Sequence, residues 1–158
     1  MLRFSTKYGE RVQLANQFNV HYGGAEANVG VSLANFGYDV FIVSKIPENQ
    51  LGKTAEKHLK SFGIHTDYLL KGGERLGTYY LETGVGERGS QVIYGCKHSS
   101  FSQLTNDEIK FDEIFQGADL FHVTGITIAL SPTLQELTLL SLQKAKEHGV
   151  TIWKKWIR

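Results

Sequence analysis

The spacing of apolar residues divides the first third of the chain into a strand region, a helix and a second strand. Residues 11–22 alternate apolar and polar side chains with a period of two, which predicts short, half-buried strands. From Ala25 to Phe36 the apolar positions recur at helical spacing, and Gly37 supplies a stop because glycine takes the left-handed conformation without steric cost. The continuous apolar run 40–43 predicts a strand that is buried on both faces.

The remaining residues continue this alternation around an insert of strands. Further helices are predicted at about 50–62, 106–115 and 132–148, and further strands at 66–70, 77–82, 91–94, 118–123 and from 150. Ser131-Pro132 marks a helix start, because a hydroxyl cap precedes a proline at the first helical position. Strand–helix alternation at both ends predicts a parallel sheet covered by helices, and the insert together with 11–22 predicts a small antiparallel sheet. We therefore expect one α/β layer that carries a β flap.

Charge and composition exclude several classes of protein. Lys plus Arg number 17 and Asp plus Glu number 16, so the net charge of +1 gives no electrostatic footprint for nucleic acid or an anionic membrane. No apolar run approaches the roughly 20 residues that span a bilayer, and the N-terminus has no apolar signal core. The single cysteine, Cys96, rules out an intramolecular disulfide and a multi-cysteine zinc site. We expect a cytoplasmic protein.

Two segments match the residue spacing of phosphate-binding motifs but lack the structural context that those motifs need. Gly84–Gly89 has the glycine spacing of a dinucleotide-binding loop, but a predicted strand follows it where the motif requires a helix. Leu51–Thr54 lies between a strand and a helix as a P-loop does, but Pro47 stands at the first glycine position and has no N–H for a phosphate. A hairpin loop and a turn into a helix are the better interpretations. The six histidines show no metal-ligand spacing, so no metal site is predicted.

The segment Gly23–Asn28 is the candidate for ligand chemistry. Two glycines at a strand-to-helix junction let a polar ligand approach bare backbone N–H groups, and the helix N-terminus favours a carboxylate or hydroxyl oxygen. Asn28, one turn further along, offers both a donor and an acceptor to hydroxyl groups. Taken alone, these residues are also compatible with an ordinary glycine turn followed by an exposed asparagine.

A set of longer motifs extends this segment over nearly the whole chain, through Ile152. The motifs are Gly23–Gly37, Val43–Gly52, Gly72–Glu82, Val92–Tyr94 and Thr124–Pro132. Together they resemble the ribokinase/PfkB family of carbohydrate kinases, and within it the 2-keto-3-deoxygluconate (2-dehydro-3-deoxygluconate) kinases. Glu26 and Pro47 favour that branch, because ribokinases proper tend to carry glycine at these positions.

The resemblance implies a Rossmann-like α/β/α layer with a β-sheet lid that closes over the sugar and often forms a dimer contact. It also implies a set of substrate-binding residues, which are Gly23, Gly24 and Asn28 at the corner, Tyr79 and Tyr94 on the lid, and Ile126 at the pocket wall. The alternative for the two tyrosines is a plain structural role as aromatic residues of the lid core. We therefore expect a small-molecule partner, a sugar or sugar acid, and a homodimer through the lid.

The reaction that the resemblance implies is phosphorylation of 2-dehydro-3-deoxygluconate to its 6-phosphate, with ATP and Mg²⁺. The family's catalytic aspartate lies in a Gly-x-Gly-Asp segment of the C-terminal half, where it would deprotonate the sugar hydroxyl. These 158 residues contain none of that half. We therefore expect no catalytic residue, no bound cofactor and no kinase activity in this chain by itself.

The chain departs from the family pattern at both ends and in the lid. The family's initial strand is missing before Met1, and residues 153–158 break the pattern as an aberrant tail, so we expect an incomplete N-terminal part with lid strands at about 11–22 and 66–96. Cys96 stands where the ketodeoxygluconate branch usually has an arginine for the substrate carboxylate, and Lys97 would compensate only in part. Two alternatives stay open, a fructokinase or ribokinase type of sugar kinase and a non-catalytic sugar-binding or dimerisation fragment.

Overall fold

The computed structural model describes residues 1–155, in which strands and helices alternate along most of the chain. The strands are β1 (Leu2–Ser5), β2 (Asn19–Tyr22), β3 (Ser44–Ile46), β4 (Leu69–Lys71), β5 (Thr78–Glu82), β6 (Gln91–Gly95), β7 (Leu120–Thr124) and β8 (Thr151–Lys155). The α-helices are α1 (Ala25–Asn35), α2 (Gln50–Ser61), α3 (Phe111–Phe115), α4 (Gly125–Leu130) and α5 (Pro132–Glu147). None of the described helices is both long and apolar enough to cross a bilayer.

The body contains two pairs of parallel strands. β3 pairs with β4 across α2, and β7 pairs with β8 across α4 and α5, so each pair is a strand–helix–strand unit. Ile46, Leu59 and Leu69 are buried in the core of the first unit, and α1 packs its Ala27 and Val31 against that core. Parallel strands need helices on their faces, because their side chains are apolar on both sides. The predicted α/β class is confirmed.

A separate four-stranded sheet, in the order β2-β1-β5-β6, forms the lid. β1 runs parallel to β5, and the two outer pairs are antiparallel. On one face Phe4 stacks on Tyr80 with ring centroids 5.2 Å apart, and Phe18 meets Tyr80 edge-on at 5.6 Å. Leu2 on the same face is fully buried in the core of the body. This aromatic face therefore fastens the lid to the body.

The helix boundaries follow from capping groups. Asn49 Oδ1 accepts a hydrogen bond from the Gly52 N–H at 3.1 Å, and Ser131 Oγ accepts one from the Leu134 N–H at 3.2 Å. Gly37, with φ of 87°, ends α1 in the left-handed conformation. The three long predicted helices are confirmed, each within one residue at its C-terminus.

The lid differs from the prediction in which strands build it. Residues 12–14 form a 3-10 turn rather than a strand, because the Val12 N–H donates to Glu82 Oε2 at 2.9 Å instead of joining a ladder. β1 at Leu2–Ser5 was not predicted, although it is the central partner of both β2 and β5. β4 was expected in the lid, but it pairs with β3 in the body.

The body also departs from the sequence pattern in places. The apolar run 40–43 is not a strand buried on both faces, since only an isolated bridge from Phe41 to His65 forms there and the Phe41 side chain is 51% exposed. The predicted helix at 106–115 splits into a 3-10 turn and α3. The expected aberrant tail begins with an ordinary strand, because 153–155 belong to β8 and pair with β7. The rest of that tail, 156–158, lies outside the described residues.

Candidate functional site

The corner between β2 and α1 is built from Gly23 and Gly24. The Gly23 N–H donates to the Met1 carbonyl at 3.0 Å, which holds the end of β2 against β1. Gly24 is the N-cap of α1, and no side chain caps the helix there. A side chain at Gly23 would meet Asn28 Oδ1 at 3.4 Å, so the Asn28 amide lies directly over the corner. Asn28 is exposed, and no hydrogen bond is recorded to its side chain from any residue within 1–155. With the Gly23 N–H used by Met1, the corner can present the N–H groups of Gly24 and of the first turn of α1, and the Asn28 amide, to a polar ligand.

Tyr79 and Tyr94 form a pair on the lid. Tyr79 of β5 and Tyr94 of β6 are direct cross-strand partners, and their ring centroids lie 6.0 Å apart. Tyr79 is half-buried, whereas Tyr94 is 66% exposed. The two rings are not part of the aromatic cluster that fastens the lid, because Tyr80 points to the opposite face. Both phenol groups thus lie on the free side of the sheet.

The register of the lid sheet puts the tyrosine pair and the glycine corner on the same side. Tyr79 is paired with Arg3, and Arg3 is paired with His21, so these side chains share one face. Gly23 lies two residues beyond His21, and its bond to the Met1 carbonyl continues the register, so it belongs to that face as well. The corner and the two tyrosines therefore lie on the same side of the lid sheet.

A carboxylate of α1 ties the start of that helix to the β7–α4 junction, which contains Ile126. Glu26 Oε1 accepts three hydrogen bonds, from the Thr124 N–H at 3.3 Å, from Thr124 Oγ1 at 2.5 Å and from Thr127 Oγ1 at 2.9 Å. Thr124 and Thr127 are buried, so this is the principal polar tie between the first turn of α1 and the β7–α4 junction. Ile126 lies within that junction and is half-buried.

Glu26 itself was not expected among the site residues. Sequence reasoning used it only to distinguish branches of the family. The sequence carried no signal for its role, because the helix dipole alone favours an acidic residue in a first turn. Nothing in local spacing joins Glu26 to Thr124, since the two are 98 residues apart.

Cys96 lies two residues after Tyr94, directly beyond the end of β6, and brings no charge. The residue is buried, its Sγ lies 3.6 Å from Met1 Sδ, and burial raises the pKa of its thiol. Arg75 lies close by, but its guanidinium donates to the carbonyls of Gly95 and Lys97, each at 2.7 Å, and to the Thr78 hydroxyl. Lys97 is exposed. The position therefore lacks the cation that the family resemblance leads one to expect.

The segments that resembled phosphate loops have ordinary structural roles. Residues 84–89 close the hairpin between β5 and β6, and Val85 bridges to Arg88 within it. Gly52 sits in the first turn of α2, where a Cβ would lie only 1.9 Å from the Pro47 carbonyl oxygen. The glycine is thus required by close backbone packing. Within 1–155 no group of three or more His, Cys, Asp or Glu side chains is arranged to hold a metal ion.

An α/β body with a strand-built lid over a glycine corner is the architecture of a class of small-molecule kinases. Comparison with known proteins agrees, because residues 2–157 match the pfkB family carbohydrate kinase. The chain belongs to the pfkB family of carbohydrate kinases. The resemblance that the motifs carried is confirmed.

Among the similar proteins are kinases named for 2-dehydro-3-deoxy sugars. The 2-dehydro-3-deoxygalactonokinase of Haloferax volcanii is 35% identical over 151 residues, which are 96% of this chain and 47% of that protein. The 2-dehydro-3-deoxygluconokinase of Bacillus subtilis is 32% identical over 150 residues, 94% of this chain and 46% of the relative. The crystal structure of 2-dehydro-3-deoxygluconokinase from Thermotoga maritima is 42% identical and superposes with a TM-score of 0.94 over 98% of this chain and 47% of that one. The chain spans about half the length of the relatives it matches.

Proposed function

We propose that the whole protein phosphorylates 2-dehydro-3-deoxygluconate to its 6-phosphate with ATP, and that residues 1–158 supply the sugar-binding side. The observation that carries the proposal is the position of the Gly23–Asn28 corner and the Tyr79–Tyr94 pair on one side of the lid. The similarity to 2-dehydro-3-deoxygluconokinases supports the choice of substrate class.

Each candidate residue has a chemical role in this proposal. Gly23 has no side chain to block the sugar, and the N–H groups of Gly24 and of the first turn of α1, together with the helix dipole, favour an oxygen of the sugar. Asn28 donates to one hydroxyl and accepts from another. Tyr79 and Tyr94 cover the sugar from the lid and offer phenol groups, and Ile126 lines the apolar side.

The phosphoryl-transfer side is assigned to the part of the protein that follows these residues. By the family resemblance, an aspartate of a Gly-x-Gly-Asp segment deprotonates the accepting hydroxyl. ATP supplies the phosphoryl group and Mg²⁺ neutralises its charge when both are bound. The role of the residues described here is to orient the sugar and to exclude water from it. The 158-residue chain is expected to bind without transferring phosphate.

The proposal includes a homodimer through the lid and a cytoplasmic location. β6 is the outer strand of the lid sheet within the described residues, and its Val92, Ile93 and Tyr94 are 41%, 55% and 66% exposed. An apolar outer strand with unpaired backbone groups favours pairing with another chain, and a second copy offers the same strand.

Calorimetric titration of the chain with 2-dehydro-3-deoxygluconate tests the proposal. We expect saturable binding, weakened about 30-fold in Asn28→Ala because two hydrogen bonds of roughly 1 kcal/mol each are lost. Asn35→Ala is the matched control, since Asn35 is an exposed asparagine at the far end of the same helix. Lack of binding by a chain whose circular dichroism shows it to be folded would contradict the proposal.

A sugar kinase of the fructokinase or ribokinase type is the second candidate. The neutral, buried thiol of Cys96 favours it, because a neutral sugar without a carboxylate needs no cation there. Titrations with fructose and ribose separate the two, since tighter binding of either than of the sugar acid would reverse the order of the candidates. The galacto epimer of the sugar acid belongs in the same series, given the Haloferax volcanii relative. A flat response to every sugar with a dimer in light scattering would instead indicate a dimerisation module.

A further inference from the structure

Arg3 is a cation in strand β1 of the lid, and its side chain is unpaired within the described residues. Its Nε is buried from solvent and has no hydrogen-bond partner. No ion pair or hydrogen bond is recorded between the Arg3 side chain and any residue in the described range 1–155. A guanidinium nitrogen that is withdrawn from water and left unpaired destabilises the protein, so such groups in native structures call for an explanation.

Arg3 lies on the candidate sugar-binding face. It is at the centre of β1, with Tyr79 as its cross-strand partner on β5 and His21 as its partner on β2. Tyr94 follows Tyr79 in the same row, so the order across the sheet is His21, Arg3, Tyr79 and Tyr94. The aromatic cluster of Phe4 and Tyr80 fills the opposite face. Arg3 is thus adjacent to a tyrosine already assigned to the sugar.

Among the neighbouring groups considered for a substrate carboxylate, neither Cys96 nor Arg75 offers a free cation, whereas Arg3 does. Cys96 is neutral, and the guanidinium of Arg75 is engaged with the Gly95 and Lys97 carbonyls. The lid carboxylate of Glu82 accepts from Val12 and pairs with Arg88. A planar guanidinium with unused N–H groups is the side chain best suited to a carboxylate, which it can bind through two parallel hydrogen bonds.

We propose that Arg3 binds the carboxylate of the sugar acid and so takes the place of the cation that is missing at Cys96. This inference rests on the proposed function, and it assigns specificity for an acid over a neutral sugar to β1 rather than to the loop after β6. The unpaired Nε is then a group that becomes satisfied when the ligand binds.

The test compares two ligands that differ only at the first carbon. 2-Dehydro-3-deoxygluconate carries a carboxylate there, and 3-deoxyfructose carries a primary alcohol. Both are titrated into the wild-type chain, Arg3→Gln, Arg3→Lys and the control Arg11→Gln, which removes the same charge from an exposed arginine in the same part of the chain. We expect Arg3→Gln to bind the acid about 10- to 100-fold more weakly and 3-deoxyfructose within about 2-fold of wild type. Arg11→Gln should change neither affinity.

The outcomes separate this inference from the proposed function. Equal weakening of both ligands in Arg3→Gln means a structural role for Arg3, and an unchanged preference for the acid means that another group binds the carboxylate. Either result overturns the inference while leaving the proposed function standing. A wild-type chain that binds neither ligand overturns both. If Arg3→Gln does not fold, Arg3→Lys decides, because a point charge without the fork should lose about 3- to 10-fold affinity for the acid alone.

Discussion

The three hydrogen bonds accepted by Glu26 allow a quantitative prediction. Removing this carboxylate in Glu26→Ala leaves the hydroxyls of Thr124 and Thr127 and one backbone N–H without their acceptor. Thr124 is 2% exposed and Thr127 is 8% exposed, so water reaches them poorly. Hydrogen bonds to a charged group contribute about 1.5–3 kcal/mol each, and the 3.3 Å bond contributes less. Glu26 is itself only half-buried, which lets water replace part of the loss.

These terms combine to a loss of about 3 kcal/mol in the free energy of unfolding for Glu26→Ala, from two strong bonds and one weak one. With a urea m-value of about 2 kcal/mol per M, the unfolding midpoint should fall by about 1.5 M. Glu26→Gln keeps an acceptor oxygen in place and should cost only about 1 kcal/mol. Urea titration followed by circular dichroism measures both values.

A matched control and a double-mutant cycle sharpen this test. Glu136→Ala removes an exposed glutamate from α5 and should change stability by less than about 0.5 kcal/mol. In the double-mutant cycle of Glu26→Ala and Thr127→Val, the coupling energy should be about 1 kcal/mol. The reason is that valine at position 127 has no hydroxyl that loses its acceptor when Glu26 is removed. The reasoning is refuted if Glu26→Ala unfolds at the same urea concentration as Glu136→Ala, or if the cycle shows no coupling. Weaker sugar-acid binding in Glu26→Ala would further show that the tie positions the corner.

Three further predictions concern packing, pH and assembly. Gly52→Ala should destabilise the chain by about 3 kcal/mol in urea titration, because the new Cβ would lie 1.9 Å from the Pro47 carbonyl oxygen, which is backbone and cannot move aside. Hydrogen bonding to Lys71 and Lys60 lowers the pKa of Glu56 to about 2 from 4.5, so this carboxylate stabilises the fold by about 1 kcal/mol above pH 4.5 and loses that contribution as the pH falls toward 2. Ile93→Lys should disrupt the proposed lid homodimer and give a monomer in light scattering, because it places a charge on the outer strand of the lid.

Each of these three predictions has a control variant for which a different result is expected. Gly89→Ala should be within about 0.5 kcal/mol of wild type, since a Cβ there meets nothing within 4 Å. Glu56→Gln should flatten the pH dependence of the unfolding free energy below pH 4.5, and an unchanged slope would assign the acid sensitivity to other carboxylates. Leu139→Lys alters a 59% exposed leucine of α5 and should leave the proposed lid dimer intact. Loss of the dimer in both lysine variants would contradict an interface at β6.

The predictable part of the fold is the part with local signals. The helices α1, α2 and α5 have apolar positions at helical spacing and a terminal glycine, and α2 and α5 also have a capping side chain; all of these act within a few residues. The strand predictions that were wrong concerned short segments that lack such signals. Val12 and Leu14 alternate like strand residues, yet the Glu82 carboxylate captures the Val12 N–H and a 3-10 turn forms. The candidate residues themselves came from family motifs, and their roles stay a proposal.

By itself, then, the sequence determined the α/β class, the positions of the long helices and the glycine junction ahead of Asn28, because capping, steric freedom and apolar period are properties of neighbouring residues. Only the tertiary structure decided that Arg3 lies beside Tyr79 and that Glu26 joins Thr124. Those relations depend on strand order and register between segments that are tens of residues apart. A shift of one residue in register would turn Arg3 to the opposite face of the lid, and no local pattern in the chain encodes which side it takes.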